Sequence, residues 1–174
     1  MQNIVRYYIA CKKTNMNNDK AKKDISLLTN IAKGILEMNS KCYLSGSLAL
    51  IIQGYKVRRS PKDIDIYCPF GYDFKPTYYM KKYLPDDEMD FYEEGDYERF
   101  PFLTNRTSTH IDLFKPISED IKTLNTIKNE NGIKMISWDD IIKMKINHSV
   151  TGKSGTSYKH RDDLIYFLIE NKSY

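Results

Sequence analysis

"SPKDIDIYC" (residues 60–68) is the stretch on which the reading of the fold turns. Its apolar residues alternate as in a half-buried β-strand, which puts Asp63 and Asp65 on one face and Ile64 and Ile66 on the other. Aspartate is a poor strand former. Two like charges at this spacing also repel each other unless something positive lies between them. Alone, a D-x-D pattern reads as a solvated strand face. Beside a phosphate-binding element it reads as a divalent metal site.

Such an element lies just upstream, in "YLSGSLAL" (43–50). The run reads as strand, turn and helix. Gly46 has no side chain to block a ligand, and Ser47 can cap the helix, whose exposed N–H groups and dipole favour an anion. The plainer reading is an ordinary Gly-Ser turn. A phosphate cradle followed within one helix by D-x-D is a more specific layout, because magnesium prefers carboxylates together with substrate phosphates. A third carboxylate is offered by "STHIDLFKP" (108–116), where Asp112 sits between Ile111 and Leu113. It is either an edge-strand aspartate or the member that completes a set able to hold two metals.

Composition narrows the classes. At 174 residues, with 41% hydrophobic and 29% charged side chains, the chain reads as one soluble globular domain spanning 1–174. The net charge of +4 is too mild for a dedicated nucleic-acid binder. The positive charge is clustered, in "KVRR" (56–59) with Lys62 and in "KHR" (159–161) with Lys153, which suits a small polyanion such as a nucleotide. "GKSG" (152–155) lacks the upstream glycine and preceding strand of a phosphate-binding P-loop. Cys11, Cys42 and Cys68 show no C-x-x-C spacing, so reduced thiols in a cytoplasmic protein are expected rather than a disulfide framework or zinc site. The N-terminus has no signal-peptide core, and "LALII" and "LIYFLI" are too short to span a bilayer, so no membrane partner is expected.

Along the chain, residues 11–24 read as a polar connector and 25–38 as a helix capped by Asp24, with Leu28, Ile31, Ala32 and Ile35 at helical spacing. A short strand (41–46), a helix closed by Gly54 and the D-x-D strand follow. Then come a turn over 69–76, a short helix over 77–84, and two or three strands up to Phe114 with turns at Gly95 and near Asn105. The remainder reads as a helix over 118–128, a strand over 132–137, a helix over 138–149, a flexible loop over 150–157 and a final helix over 158–172.

In this order, "SGSLAL" (45–50), "RRSPKDID" (58–65) and "HIDLF" (110–114) resemble the DNA polymerase β-type nucleotidyltransferase superfamily. The chain is most similar to its minimal, AbiEii-like branch, with that branch's G-[GS]-[ST]-A-L, R-x-T-x-D-I-D and I-D-L elements. "WDDIIKMKI" resembles the branch's helix ending in a lysine, here Lys145, and "KHRDDL" its K-x-x-x-D-L element, here Lys159 and Asp163. The resemblance covers residues 42 to 168. His160 stands where many relatives carry an aspartate, and Pro61 where serine or threonine is usual.

The resemblance implies a nucleotidyltransferase fold of α/β (α+β) class, a small mixed β-sheet flanked by helices, with C-terminal helices. It implies Mg²⁺- or Mn²⁺-dependent transfer of a nucleoside monophosphate from an NTP to an acceptor, with release of pyrophosphate. Asp63, Asp65 and Asp112 would be the metal-binding, catalytic residues. Gly46, Ser47, Arg59, Lys145 and Lys159 would bind the nucleotide. A toxin acting on tRNA or on a protein, and neutralised by an antitoxin, is the acceptor class that the branch implies. An antibiotic-modifying nucleotidyltransferase and a non-catalytic nucleotide-binding or interaction module of the same fold are the alternatives. The spacing of Lys159 and Asp163 also lets them pair on one helix face. His110, which shares a strand face with Asp112, reads as a polar neighbour.

Overall fold

The computed structural model describes residues 18–69, 92–94, 97–104, 107–114, 124–151 and 154–172. Among these residues, four helices, α1 (Asn18–Met38), α2 (Gly46–Ile52), α3 (Trp138–Thr151) and α4 (Ser154–Glu170), accompany seven strands. These are β1 (Tyr43–Leu44), β2 (Asp63–Tyr67), β3 (Tyr92–Glu94), β4 (Tyr97–Thr104), β5 (Thr107–Phe114), β6 (Thr126–Lys128) and β7 (Lys134–Ile136). They form one mixed sheet in the order β3-β4-β5-β2-β1-β7-β6. The expected mixed sheet flanked by helices is therefore observed.

Strand alternation sorts the sheet's side chains. Ile64, Ile66, Ile111 and Leu113 are fully buried, and Leu28, Ile31, Ala32 and Ile35 of α1 join them in one core. These four α1 residues are the ones whose helical spacing predicts an apolar stripe. The helix itself starts at Asn18, so Asp24 lies inside it and is no N-cap. Residues 18–24 are rich in lysine with one alanine, good helix formers whose polarity reads misleadingly as a connector.

Gly54 closes α2 as expected. Its φ of +89° is one that glycine adopts at little cost. The Gly54 N–H donates to the Ile51 carbonyl and the Tyr55 N–H to the Leu50 carbonyl, the paired bonds of a Schellman end. Beyond it, Tyr55 packs against Trp138 and Phe167, with ring centroids 5.4 Å away in both cases. The Lys56 backbone N–H donates to Asn171 Oδ1 at 2.8 Å, and Asn171 Nδ2 donates back to the Lys56 carbonyl at 2.9 Å. The chain entering β2 is thus fastened to the end of α4.

Three expectations need correction. Cys42 and Cys68 are joined as a disulfide rather than kept as reduced thiols. Antiparallel pairing sets Tyr43 opposite Tyr67, so the next pair outward is Cys42 opposite Cys68, an adjacency that a separation of 26 residues conceals. Residues 126–128 are strand β6 rather than the end of a helix. A tight turn explains this: Asn129 Oδ1 accepts the Ile133 N–H, and β6 pairs antiparallel with β7. Residues 154–157 belong to α4 rather than to a loop. Cys11, the turn over 70–76, the helix over 77–84 and the first residues of the 118–128 helix lie outside the described residues.

Core and edge isoleucines should respond differently to truncation. Ile64→Ala is expected to cost about 2–5 kcal/mol, as for a fully buried side chain. Ile127→Ala, at a position 42% exposed, should cost about 0.5 kcal/mol or less. Urea midpoints at unchanged m-value measure both. Equal losses would contradict the burial pattern.

Candidate active site

Parallel pairing of β2 with β5 builds the site. Asp63 lies opposite His110 and Asp65 opposite Asp112, so all four side chains share one face of two adjacent strands. Asp112 is buried, while Asp63 and Asp65 keep partial exposure. His110 Nε2 stands 3.4 Å from Asp63 Oδ1 and 3.6 Å from Asp112 Oδ2. The structure therefore brings the three sequence-predicted carboxylates together.

The turn after β1 closes on them. The Ser45 N–H donates to the Asp65 carbonyl at 2.8 Å, and α2 begins at Gly46, whose φ is +65°. Ser45, not Ser47, is the N-cap residue, and no side chain caps this helix end. Ser47 instead occupies the first turn. Gly46 is needed for two reasons. Its backbone lies in the left-handed region, and a Cβ there would overlap the Asp65 carboxylate. The space on the Cβ side of Gly46 is filled by the Asp65 carboxylate.

A cationic cluster is organised by Asp163 on α4, and its Lys145 lies near enough for its charge to act on Asp65. Its carboxylate accepts Arg59 Nη2 at 2.7 Å and both Arg58 Nε and Arg59 Nε at 3.2 Å, and Lys145 Nζ of α3 lies 3.7 Å away. Arg58 Nη1 reaches Asp162 Oδ2 at 3.4 Å. The expected Lys159–Asp163 pair does not form: Lys159 is exposed and makes no ion pair among the described residues. The two guanidiniums occupy the carboxylate instead, because their forked N–H groups match its geometry. Arg58, although part of the basic run noticed in the sequence, was not singled out there. Only a long-range pairing gives it a role. Ser47, Arg58, Arg59, Lys145 and Asp163 line a small cleft together with Leu50 and Ile142.

Charge is the site's dominant property. Burial, then the neighbouring charges of Asp112 and Asp63, push the Asp65 carboxyl up to about 7, against the pull of Lys145 and Lys159. Burial pushes the Lys145 ammonium below the usual lysine range, against the pull of Asp163 and Asp65. For Asp163, burial acts upward, but the Arg59 hydrogen bond and the Lys145 charge outweigh it and hold the carboxyl below its ordinary range. Burial and the Lys145 charge press His160 down to about 4, and its ring lies 5.2 Å from that of His148. His160 Nδ1 is buried without a hydrogen-bond partner.

The donor set suits a hard divalent cation: three carboxylates on one face, one of them raised by burial and then by its like-charged neighbours, whose repulsion a dication would relieve. As they stand, no three histidine, cysteine, aspartate or glutamate side chains among the described residues converge closely enough to hold an ion. The His110 ring lies near the Asp63 and Asp112 carboxylates in this arrangement.

The fold places the chain among known structures. JHP933 from Helicobacter pylori is similar at a TM-score of 0.57 and 18% identity, over 87% of this chain and 67% of that one. The solution structure of the antibiotic-resistance factor ANT(2'')-Ia is similar at a TM-score of 0.52 and 15% identity, over 88% of this chain and 85% of that one. A crystal structure of ANT(2'')-Ia with adenylyl-2''-tobramycin gives a TM-score of 0.49 at 16% identity, over 84% of this chain and 88% of that one. No protein-family model matches the sequence, and no curated protein matches it. The likeness shows the fold, which is of nucleotidyltransferase type.

Two outcomes follow from this geometry. Gly46→Ala should lower stability by about 2 kcal/mol or more, from a positive φ in a residue bearing Cβ. Asp65→Ala in the same chain should recover part of the loss, with a coupling of about 0.5–3 kcal/mol in a double-mutant cycle; strict additivity would contradict the contact. The second outcome concerns pH. Because the folded-state pKa of Asp65 lies above its ordinary 3.8, the native chain binds the proton more tightly than the unfolded chain up to about pH 7. Its contribution to metal-free stability is therefore lost as pH rises through that window. The melting temperature of Asp65→Asn should pull ahead of the unsubstituted protein between about pH 4 and 7 and keep a constant lead above. A lead that does not change with pH contradicts the raised carboxyl.

Proposed function

We propose that the protein is a metal-dependent nucleotidyltransferase, a single domain that moves a nucleoside monophosphate from an NTP to an acceptor and releases pyrophosphate. The observation that supports this best is the in-register pairing of Asp65 with Asp112, beside Asp63, near a cationic cluster held by Asp163. Acids for a metal lie close enough to a cluster of cations for a triphosphate that the Lys145 charge acts on Asp65.

In this reading Asp63, Asp65 and Asp112 hold Mg²⁺ or Mn²⁺, which when bound supplies Lewis-acid stabilisation of charge on the reacting phosphate. The backbone N–H groups at Gly46 and Ser47, with the Ser47 hydroxyl, receive phosphate oxygens. Arg59, joined by Arg58, and Lys145 offset the triphosphate's negative charge, and Asp163 fixes the direction in which they point. Lys159, exposed at the rim, steadies the nucleotide or the acceptor. Asp112 accepts the proton of the attacking acceptor oxygen. Catalysis then rests on positioning and electrostatics rather than on covalent participation of the protein.

The acceptor in this proposal is tRNA or a protein, as for a toxin of the AbiEii-like branch, with an antitoxin as partner. A second reading, an antibiotic-modifying enzyme, is favoured by the fold shared with ANT(2'')-Ia. Incubating the protein with each α-labelled NTP and, separately, total tRNA, protein extract and aminoglycosides tests both. Label on RNA or protein supports the first, and label on the antibiotic the second. NTP binding with no labelled acceptor would point to a non-catalytic module.

Asp112→Asn separates chemistry from structure. Turnover should fall by about 100-fold or more, since the acceptor loses its base and a metal carboxylate. Metal-free stability should hold or rise, because one of three crowded negative charges is gone. NTP binding, read by calorimetry, should persist through Asp63 and Asp65. A less stable variant with near-normal turnover would make Asp112 structural.

A further inference from the structure

The carboxylate face carries a fourth side chain that the proposed reaction leaves unused. His110 is fixed by the β2–β5 register directly opposite Asp63 and two residues before Asp112, so it points to the same side as the acids. Its Nε2 lies 3.4 Å from an Asp63 oxygen and 3.6 Å from an Asp112 oxygen. Both distances exceed those of a well-formed N–H···O hydrogen bond. The nitrogen is therefore placed between two carboxylates without being committed to either. Its side chain retains 21% exposure and Asp63's 30%, so the pair is open to an entering ion. A cation held by Asp63 and Asp112 must meet this nitrogen, either as a ligand or as an obstacle.

We propose that His110 supplies a nitrogen donor to the carboxylate site, so that the site favours Mn²⁺ and related transition ions over Mg²⁺. This inference rests on the carboxylates forming the divalent site described above. Its chemistry is that of donor softness. Imidazole is a good ligand for transition ions, whereas Mg²⁺ takes oxygen donors and retains its waters. An all-carboxylate site discriminates weakly between Mg²⁺ and Mn²⁺, and one histidine nitrogen tilts the balance. The strand backbone fixes the direction of the ring, which makes His110 part of the site rather than a loop residue that samples it.

Pulsed electron paramagnetic resonance on Mn²⁺ bound to the protein tests the proposal directly, on chain labelled with ¹⁵N at histidine alone. Spectra are taken with Mn²⁺ by itself and with Mn²⁺ plus a non-hydrolysable NTP. The expected result is a ¹⁵N coupling that disappears in His110→Gln, together with a loss of Mn²⁺ affinity of about tenfold or more. Mg²⁺ affinity, from competition against Mn²⁺, should change by about twofold or less, because magnesium makes little use of the nitrogen. Mn²⁺ that binds without histidine coupling, and equally well to His110→Gln, overturns the role of His110 while leaving the carboxylate site standing. Absence of Mn²⁺ and Mg²⁺ binding with and without nucleotide overturns both. The labelled unsubstituted protein gives the decisive spectrum even where the variant folds poorly.

Discussion

Mutual repulsion among carboxylates on one sheet face is the constraint to which the surrounding structure responds. Parallel pairing leaves Asp65 beside Asp112, and strand alternation leaves Asp63 on the same side. The opposite face of these strands is filled by Ile64, Ile66, Ile111 and Leu113. Part of the compensation comes from the charges of Lys145 and Lys159, which act on Asp65. The absence of a side chain at Gly46 lets the Asp65 carboxylate settle against the backbone at the start of α2. A fold selected for stability alone gains nothing from this arrangement, because aliphatic residues at these positions would pack at no electrostatic cost. Local conflict of this kind marks a site with a task.

Asp163 plays the complementary part. It converts three flexible cations into a directed set by accepting two guanidiniums and standing beside an ammonium. Two of its partners come from the segment before β2 and one from α3, so the carboxylate ties three parts of the chain to one point. The Asn171–Lys56 hydrogen bonds and the Tyr55–Trp138–Phe167 cluster secure the same segment from the other side. The arginines therefore sit on a strap held at both ends. This limits the conformational entropy lost when they engage an anion.

Much of this was legible in the sequence, and what was not has identifiable causes. Period-two alternation located β2 and β5 and the shared face of their acids, and helical spacing located the α1 residues that enter the core. The signals that failed were those of long range. Nothing local says that Cys42 and Cys68 are partners, because their adjacency depends on the register of Tyr43 with Tyr67. The i,i+4 spacing of Lys159 and Asp163 is a local signal, and two arginines some hundred residues away in sequence override it. Residues 126–128 have a composition that either element accepts, and pairing with β7 decides for a strand. Ser47 resembles a cap in the sequence, but the cap is Ser45, two residues earlier, because the helix already begins at Gly46.

The ends of the sheet bear on how copies of the molecule behave in company. Among the described residues β3 pairs with β4 only as far as Arg99, and no described strand lies outside β4 from Phe100 onward. Pro101, which has no N–H to offer, lies in this open stretch. At the other margin β6 is three residues long, exposed, and ends in Lys128. A neighbouring strand that approached either border would find a missing donor on one side and a short, charged ledge on the other. Among the described residues, both borders are therefore poor templates for strand addition.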